Sequence, residues 1–360
     1  MGGPFDEPHL DDVERTWGAV FAAGAAAPSS KQTACLRAWS SASASVAESL
    51  TFGEFWARAA GGGARLGGGH DDRVVFLSHP SVRYYLAAAG AFARQCAVVN
   101  LNWRQPASAL RHAVATVDAA AFVVSDPLAD LADEVGSFRG APRHRLDDLF
   151  DESPPPPARS PGSGAIQAGP RDVAVVMFTS GSTGRPKGVP MTHAGLLHAC
   201  RSKLVAHGGF ANVARGTVSF LPNFHVIGFV NNFLFNAYAR CPGAVLVEAA
   251  SALITVDLLE KAIGAMAPDS VDTVPTILEA VANSVVSRPD VVATFAEVRL
   301  VTCGGAPLPS AAYDALSAAG IHPMPHYGQT EFSGGFCLVG APRAGRDVMR
   351  PVQGLSLIHI

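Results

Sequence analysis

Short apolar runs of strand length alternate with longer helical stretches through most of this chain. Residues 74–77, 97–101 and 119–124 read as buried strands. Between them, residues 82–96 and 106–117 read as helices, with Pro106 suited to a first-turn position. After residue 170 the alternation resumes, with strands at 173–178, 218–221, 244–247, 271–274 and 298–302. Helices are predicted at 192–206, 227–239, 253–266 and 275–286. A βαβα order of this kind predicts an α/β fold, a largely parallel sheet covered by helices on both faces. No internal repeat interrupts it.

Between the two series, residues 151–170 turn to Pro, Ser and Gly, with consecutive prolines from Pro154 to Pro157. This stretch is expected to be a surface linker or loop between an N-terminal subdomain, 1–150, and a second subdomain, 171–354. The 360 residues suffice for large cores, and 36 Gly with 26 Pro spread without period exclude collagen and global disorder. A net charge of −3, with no Lys/Arg cluster interleaved with aromatics, gives no electrostatic case for nucleic acid. The longest apolar stretch, near residues 84–93, is too short to span a bilayer. The acidic N-terminus carries no signal-peptide pattern, and the six cysteines lie far apart without a C-x-x-C pair. Reduced thiols and a cytoplasmic location are therefore expected, not a disulfide frame or a zinc site.

The strongest chemical signal is Phe178-Thr179-Ser180-Gly181-Ser182-Thr183-Gly184-Arg185-Pro186-Lys187-Gly188, a polar glycine-rich loop after a predicted buried strand. Gly181 and Gly184 permit backbone geometries in which N–H groups converge on an anion. Thr179, Ser180, Ser182 and Thr183 add hydroxyls, and Lys187 adds a compact charge suited to phosphate oxygens. The spacing is not that of a Walker A loop, whose lysine directly follows the glycine, nor that of the G-x-S-x-G elbow of serine hydrolases.

With its continuation Met191-Thr192-His193, this segment resembles the signature of the AMP-forming adenylating enzymes, which include acyl-CoA synthetases and the adenylation domains that load carrier proteins. Three more segments follow in that family's order: Leu221-Pro222-Asn223-Phe224-His225, Thr302-Cys303-Gly304-Gly305-Ala306-Pro307-Leu308 and His326-Tyr327-Gly328-Gln329-Thr330-Glu331. Weaker matches lie upstream at Thr51-Phe52-Gly53-Glu54-Phe55 and Asn100-Leu101-Asn102-Trp103-Arg104. The resemblance implies a large N-terminal domain of layered sheets flanked by helices. It implies that Thr179, Ser180, Gly181, Ser182, Thr183, Gly184 and Lys187 hold the β- and γ-phosphates of ATP. Gly304, Gly305, Ala306 and Pro307 would form a turn close to adenine and the acyl group. His326, Tyr327, Gly328, Gln329 and Thr330 would complete the nucleotide site, with Tyr327 stacked on adenine and Glu331 on Mg²⁺. His225 would border the acyl group. Lys187, His225, Thr330 and Glu331 are the side chains implied to act in catalysis.

Amino-acid-activating relatives place an Asp just after the Phe of the His225 segment to pair with the substrate ammonium, and this chain has none. Phe224, Val226, Phe229, Val230 and Phe233 could line an apolar pocket, although aromatics at helical spacing are more often plain core. Fatty, aryl and short-chain acids all stay open. The implied reaction is activation of a small carboxylic acid to an acyl-adenylate with release of pyrophosphate, then transfer to a thiol such as CoA. Loading of a carrier protein and a non-catalytic nucleotide-binding role are the alternatives. The family also has a T-G-D segment and a C-terminal lid domain carrying a distant lysine, and neither follows Glu331 in this sequence. The terminal Leu355-Ser356-Leu357-Ile358-His359-Ile360 back-translates to a sequence resembling a transposon-based sequencing adapter. The expectation is accordingly a gene fragment with a non-native tail at 355–360 and no lid, which adenylates poorly or not at all by itself.

Overall fold

The computed structural model describes residues 15–27, 34–40, 45–136, 140–150, 168–179, 185–209, 212–246, 254–335, 338–340 and 349–351. The first elements in chain order are α1 (Trp17–Ala26), β1 (Ala34–Ser40), β2 (Ser45–Thr51), α2 (Phe52–Leu66), β3 (Arg73–Leu77) and α3 (Val82–Ala93). Next come β4 (Ala97–Asn100), α4 (Ala107–Ala115), β5 (Ala119–Val124), α5 (Ala129–Val135) and β6 (Arg143–Arg145). A hairpin of β7 (Val173–Thr179) and β8 (Lys187–Thr192) leads into α6 (His193–Ala206) and β9 (Thr217–Ser219). After α7 (Val226–Gly228), a π-helical turn (Phe229–Leu234) and α8 (Phe235–Ala239) come β10 (Gly243–Leu246), α9 (Val256–Met266) and β11 (Ser270–Thr273). The remaining elements are α10 (Pro275–Ser284), α11 (Pro289–Ala296), β12 (Leu300–Cys303), α12 (Ser310–Ala318), β13 (Met324–Tyr327), β14 (Leu338–Gly340) and β15 (Met349–Pro351).

The strands form two sheets, ordered β6-β5-β3-β4-β7-β8 and β15-β14-β13-β12-β11-β9-β10-β1-β2. Both are mostly parallel, with β8 antiparallel on the edge of the first and β2, β14 and β15 antiparallel in the second. The local reasons are legible in the chain. Apolar runs such as Val74, Val75, Phe76 and Leu77 are buried along their length, as strands covered on both faces must be. Thr51 caps α2 through a capping box with Glu54. Strands from either side of residues 151–170 enter both sheets: β7 and β8 extend the first, and β1 and β2 join the second through β10. Residues 151–167 themselves lie outside the described residues.

An aromatic core joins the layers. Phe233 of the π-helical turn lies 5.5 Å from the ring of Phe21 and 4.6 Å from that of Tyr85. Phe229 and Val230 are fully buried, so these two and Phe233 are packing residues and do not line an open acyl pocket.

Three sequence expectations change. The segment 178–188 is not one loop: Phe178 and Thr179 end β7, and Lys187 and Gly188 begin β8. The helix expected over 227–239 is present from Val226 to Ala239 without a gap, but its middle, Phe229–Leu234, is π-helical. The strand expected at 218–221 stops at Ser219, which frees Leu221 and Pro222 to turn toward His225. Among the described residues no helix is long and apolar enough to cross a membrane, and the five described cysteines are free and buried.

Candidate active site

Parallel pairing decides where the singled-out segments meet. Strands β9, β11, β12 and β13 run parallel as neighbours, so the chain leaves all of them at one edge of the sheet. The Leu221–His225 stretch follows β9, the Gly304–Pro307 turn follows β12, and Gly328–Glu331 follows β13. In open α/β sheets the carboxyl ends of the strands are where ligands bind.

The glycine-rich signature straddles the β7–β8 hairpin. Thr179 stands opposite Lys187, and Phe178 opposite Gly188, so the ladder carries the hydroxyl and the ammonium to the same end. Lys187 is exposed there. Ser180, Gly181, Ser182, Thr183 and Gly184 lie outside the described residues. Thr192 closes β8 and caps α6, accepting the Gly195 N–H at 3.0 Å.

The turn bearing Thr330 and Glu331 packs against two of these segments at once. A Cβ on Gly195 would lie 2.9 Å from Ser333 Oγ, and one on Gly334 would lie 2.8 Å from Val226 Cβ. The Thr330–Phe332 turn therefore sits between the start of α6, behind the hairpin, and the start of α7, which carries His225. Glu331 is exposed, Thr330 is half-buried and Tyr327 is 41% exposed. Gln329 Nε2 donates to the Tyr327 hydroxyl, which fixes the tyrosine's outer end.

His225 caps α7: the Ile227 N–H donates to its Nδ1 at 3.2 Å. That contact makes Nδ1 an acceptor, so the neutral ring carries its proton on Nε2. The residue reaches solvent, yet protein crowds the ring closely enough to lower its pKa below the usual histidine value. A neutral imidazole with a free Nε2–H is a hydrogen-bond donor for a carboxylate oxygen.

Of the turn after β12, Gly304 is buried and Gly305, Ala306 and Pro307 are exposed. A Cβ on Gly304 would fall 2.1 Å from His326 Nε2, so the histidine lies directly against the glycine backbone. His326 is buried to 6% exposure, and that burial holds its pKa down at about 4. The structure therefore puts His326 behind the turn as its support and leaves the open face to Tyr327.

Several neighbours of these segments carried no assigned role in the sequence reading, although Trp103, Arg104 and Asn223 lie within segments it matched. Trp103, after β4, meets Phe224 edge-on at 5.5 Å, and the Arg104 guanidinium lies 4.9 Å from the Trp103 ring. Asn223 Nδ2 donates to the Ser78 carbonyl at 3.0 Å, joining the ends of β9 and β3. Lys203 and Asp272 form a fully buried ion pair at 2.5 Å beneath the site. A signal for Lys203 existed: it lies three residues after Cys200 and seven after Leu196, on the buried face of α6.

Comparison with known proteins follows the same residues. The family model described as "AMP-binding enzyme" matches residues 25–360. The chain is 31% identical over 294 residues to a feruloyl-CoA synthase from an Amycolatopsis species, covering 78% of this chain and 53% of that protein. It is 32% identical over 186 residues to a probable 2-succinylbenzoate–CoA ligase from Mycobacterium tuberculosis, covering 51% of this chain and 46% of that protein. The chain thus spans about half the length of the curated relatives it matches. Among solved structures, ATP-bound MatB from Rhodopseudomonas palustris superposes with a TM-score of 0.75 at 20% identity, over 92% of this chain and 63% of that one, a likeness of fold. The order of the segments, their gathering at the strand ends and a match across most of the sequence lead to one affiliation: the chain belongs to the AMP-binding enzyme family.

Proposed function

We propose that this chain is the ATP- and acyl-binding part of a ligase that activates a carboxylic acid as its adenylate and passes it to a thiol, CoA in the first instance. The observation that supports this reading is the packing of the segment after the Thr330–Phe332 turn, where Ser333 meets Gly195 at the start of α6 and Gly334 meets Val226, next to His225, at the start of α7. In the first half-reaction a carboxylate oxygen attacks the α-phosphorus of ATP. The new O–P bond forms as the α–β bridging bond breaks, and pyrophosphate leaves. In the second, the thiol sulfur attacks the acyl carbon, AMP leaves and the thiol proton passes to solvent.

Within that scheme the exposed Lys187, at the mouth of the β7–β8 hairpin with Thr179, offsets charge on the phosphates. His225 donates through Nε2 to the acyl carboxylate and orients it for attack. Glu331 and Thr330 offer adjacent hard oxygen atoms, a donor set that fits Mg²⁺. When bound, the metal offsets phosphate charge. Gly304, Gly305, Ala306 and Pro307 give the backbone close approach to the nucleotide, and Tyr327 offers a ring face to adenine.

The test is carboxylate-dependent ATP–pyrophosphate exchange across aryl, fatty and short-chain acids, with CoA thioester formation measured beside it. ATP binding and at most weak exchange with at least one acid are expected of this chain, and His225→Ala is expected to lower that exchange by about tenfold or more. A chain that binds neither ATP nor AMP would overturn the proposal. Exchange without thioester formation on CoA would move the acceptor to a carrier protein.

A further inference from the structure

Beneath the strand ends lies a polar chain whose ion pair, Lys203 and Asp272, falls outside the family segments and whose third member, Thr302, opens one of them. Lys203 of α6 and Asp272 of β11 have no exposed surface, and Lys203 Nζ donates to Asp272 Oδ2 at 2.5 Å. The same ammonium donates to the backbone carbonyl of Asn231, inside the π-helical turn, and lies 4.3 Å from the Phe235 ring centroid. On the other side, Thr302 of β12 donates to Asp272 Oδ1 at 2.8 Å, and Thr302 is the register partner of Asp272.

Each end of this chain leads to a different half of the site. Asn231 belongs to the helical run that begins beside His225, whose carbonyl accepts from the Phe229 N–H at 2.9 Å. Thr302 precedes Gly304 by two residues and pairs with Met324 of β13, the strand that ends at Tyr327. His207 and His326 flank the pair and are held neutral by burial, at about 3 and about 4. The pair is thus charge-matched, with neutral imidazoles on its flanks.

Stability alone is a weak reason for such an arrangement, because desolvation offsets most of the attraction in a buried ion pair and apolar residues of similar volume often serve as well. What the pair supplies is direction: an ammonium fixed by a carboxylate on one side and a carbonyl on the other allows one relative placement of α6, β11 and the π-helical turn. π-Helical turns of this kind occur frequently at functional sites. We infer that Lys203 and Asp272 form a positioning pair, with Thr302 as its third member, that couples the nucleotide half of the site to the acyl half; this rests on the adenylation reading above. Ordering the turn at Gly304 and Tyr327 around ATP is thereby transmitted to the segment that carries His225.

The test uses the 360-residue chain with Mg²⁺-ATP as the probe, reading ATP affinity by calorimetry and amide exchange over residues 227–236. In the unsubstituted chain ATP is expected to slow exchange of those amides by about fivefold or more. Two variants separate positioning from packing. Lys203→Met with Asp272→Leu replaces the ion pair by apolar volume, and Thr302→Val keeps the shape of the side chain and removes its bond to Asp272. Both are expected to bind ATP within about threefold of the unsubstituted chain and to lose the protection over 227–236. Protection that persists in Thr302→Val overturns the inference whether or not the double variant folds, and so does ATP binding to the unsubstituted chain without such protection. Failure of the unsubstituted chain to bind ATP overturns the adenylation reading itself, and the inference with it.

Discussion

Two adjacent glycines after β12 are required for different reasons, and the difference can be measured. At Gly304 the constraint is space: an added Cβ would lie 2.1 Å from His326 Nε2 and 2.4 Å from Cε1, atoms of a rigid buried ring. At Gly305 there is room, since the nearest atom to an added Cβ is Val274 Cγ1 at 3.8 Å, but the backbone φ is +87°. Gly304→Ala must therefore push the turn or the ring aside and is expected to cost about 1–3 kcal/mol, as other overpacked sites do. Gly305→Ala meets only backbone strain and is expected to cost about 1 kcal/mol. Urea unfolding of both variants checks the order, and equal costs would show that His326 yields. In the sequence, Gly-Gly-Ala-Pro marks a turn after a strand and gives no sign of which glycine is crowded. The crowding residue sits 22 positions away, so that information exists only once β12 and β13 are side by side.

At the scale of elements, ends were more readable than interiors. Thr192 reads as a helix start and caps α6 in the structure, with the Gly195 N–H as its partner. Thr192→Ala should cost about 1 kcal/mol, the usual loss of such a cap, and should raise amide exchange in the first turn of α6. An unchanged unfolding midpoint would mean that the Ser333 contact on Gly195 holds the turn alone. Strand β8 escaped the sequence reading because Pro190 interrupts it and three of its other residues, Lys187, Gly188 and Thr192, are polar or small. As an edge strand paired only with β7, it tolerates a proline that a central strand would not. The π-helical turn escaped for the opposite reason. From Val226 to Leu234 every residue is buried, so the apolar pattern has no phase in which an extra residue could show.

The whole molecule adds what no local pattern holds: pairings across long separations, and groups whose charge depends on them. β1 finds β10 and Lys203 finds Asp272 through tertiary structure, which is why the α/β class was legible and the exchange of strands between sheets was not. Histidines record the same long-range packing as a pH dependence. His193 Nδ1 accepts the Trp17 backbone N–H at 3.1 Å across 176 residues, His207 bonds Ser270 at 3.0 Å, and His326 backs Gly304. Burial, reinforced at His207 by the neighbouring Lys203 charge, lowers their pKa values to about 4, about 3 and about 4. His79, His144, His198 and His225 shift in the same direction, whereas His70 beside Asp172 shifts upward. The unfolded chain takes up protons on these imidazoles near pH 6.5, while the folded chain refuses them until near pH 4. Between those values the unfolded state binds more protons, so stability is complete above the window and falls as the pH falls through it. Three fully depressed histidines give a slope of about 4 kcal/mol per pH unit near the middle of the window. Carboxylates with lowered values, such as Asp172 and Asp290, lose their contribution only further down, below the ordinary carboxylate range. The denaturation midpoint should therefore drop steeply between about pH 6.5 and about pH 5, and His193→Gln should shallow that slope by about one proton's worth. A midpoint that stays flat over this range would mean that the three imidazoles are hydrated in the folded chain, and that the packing of α6 against α1, β11 and β13 is looser than described.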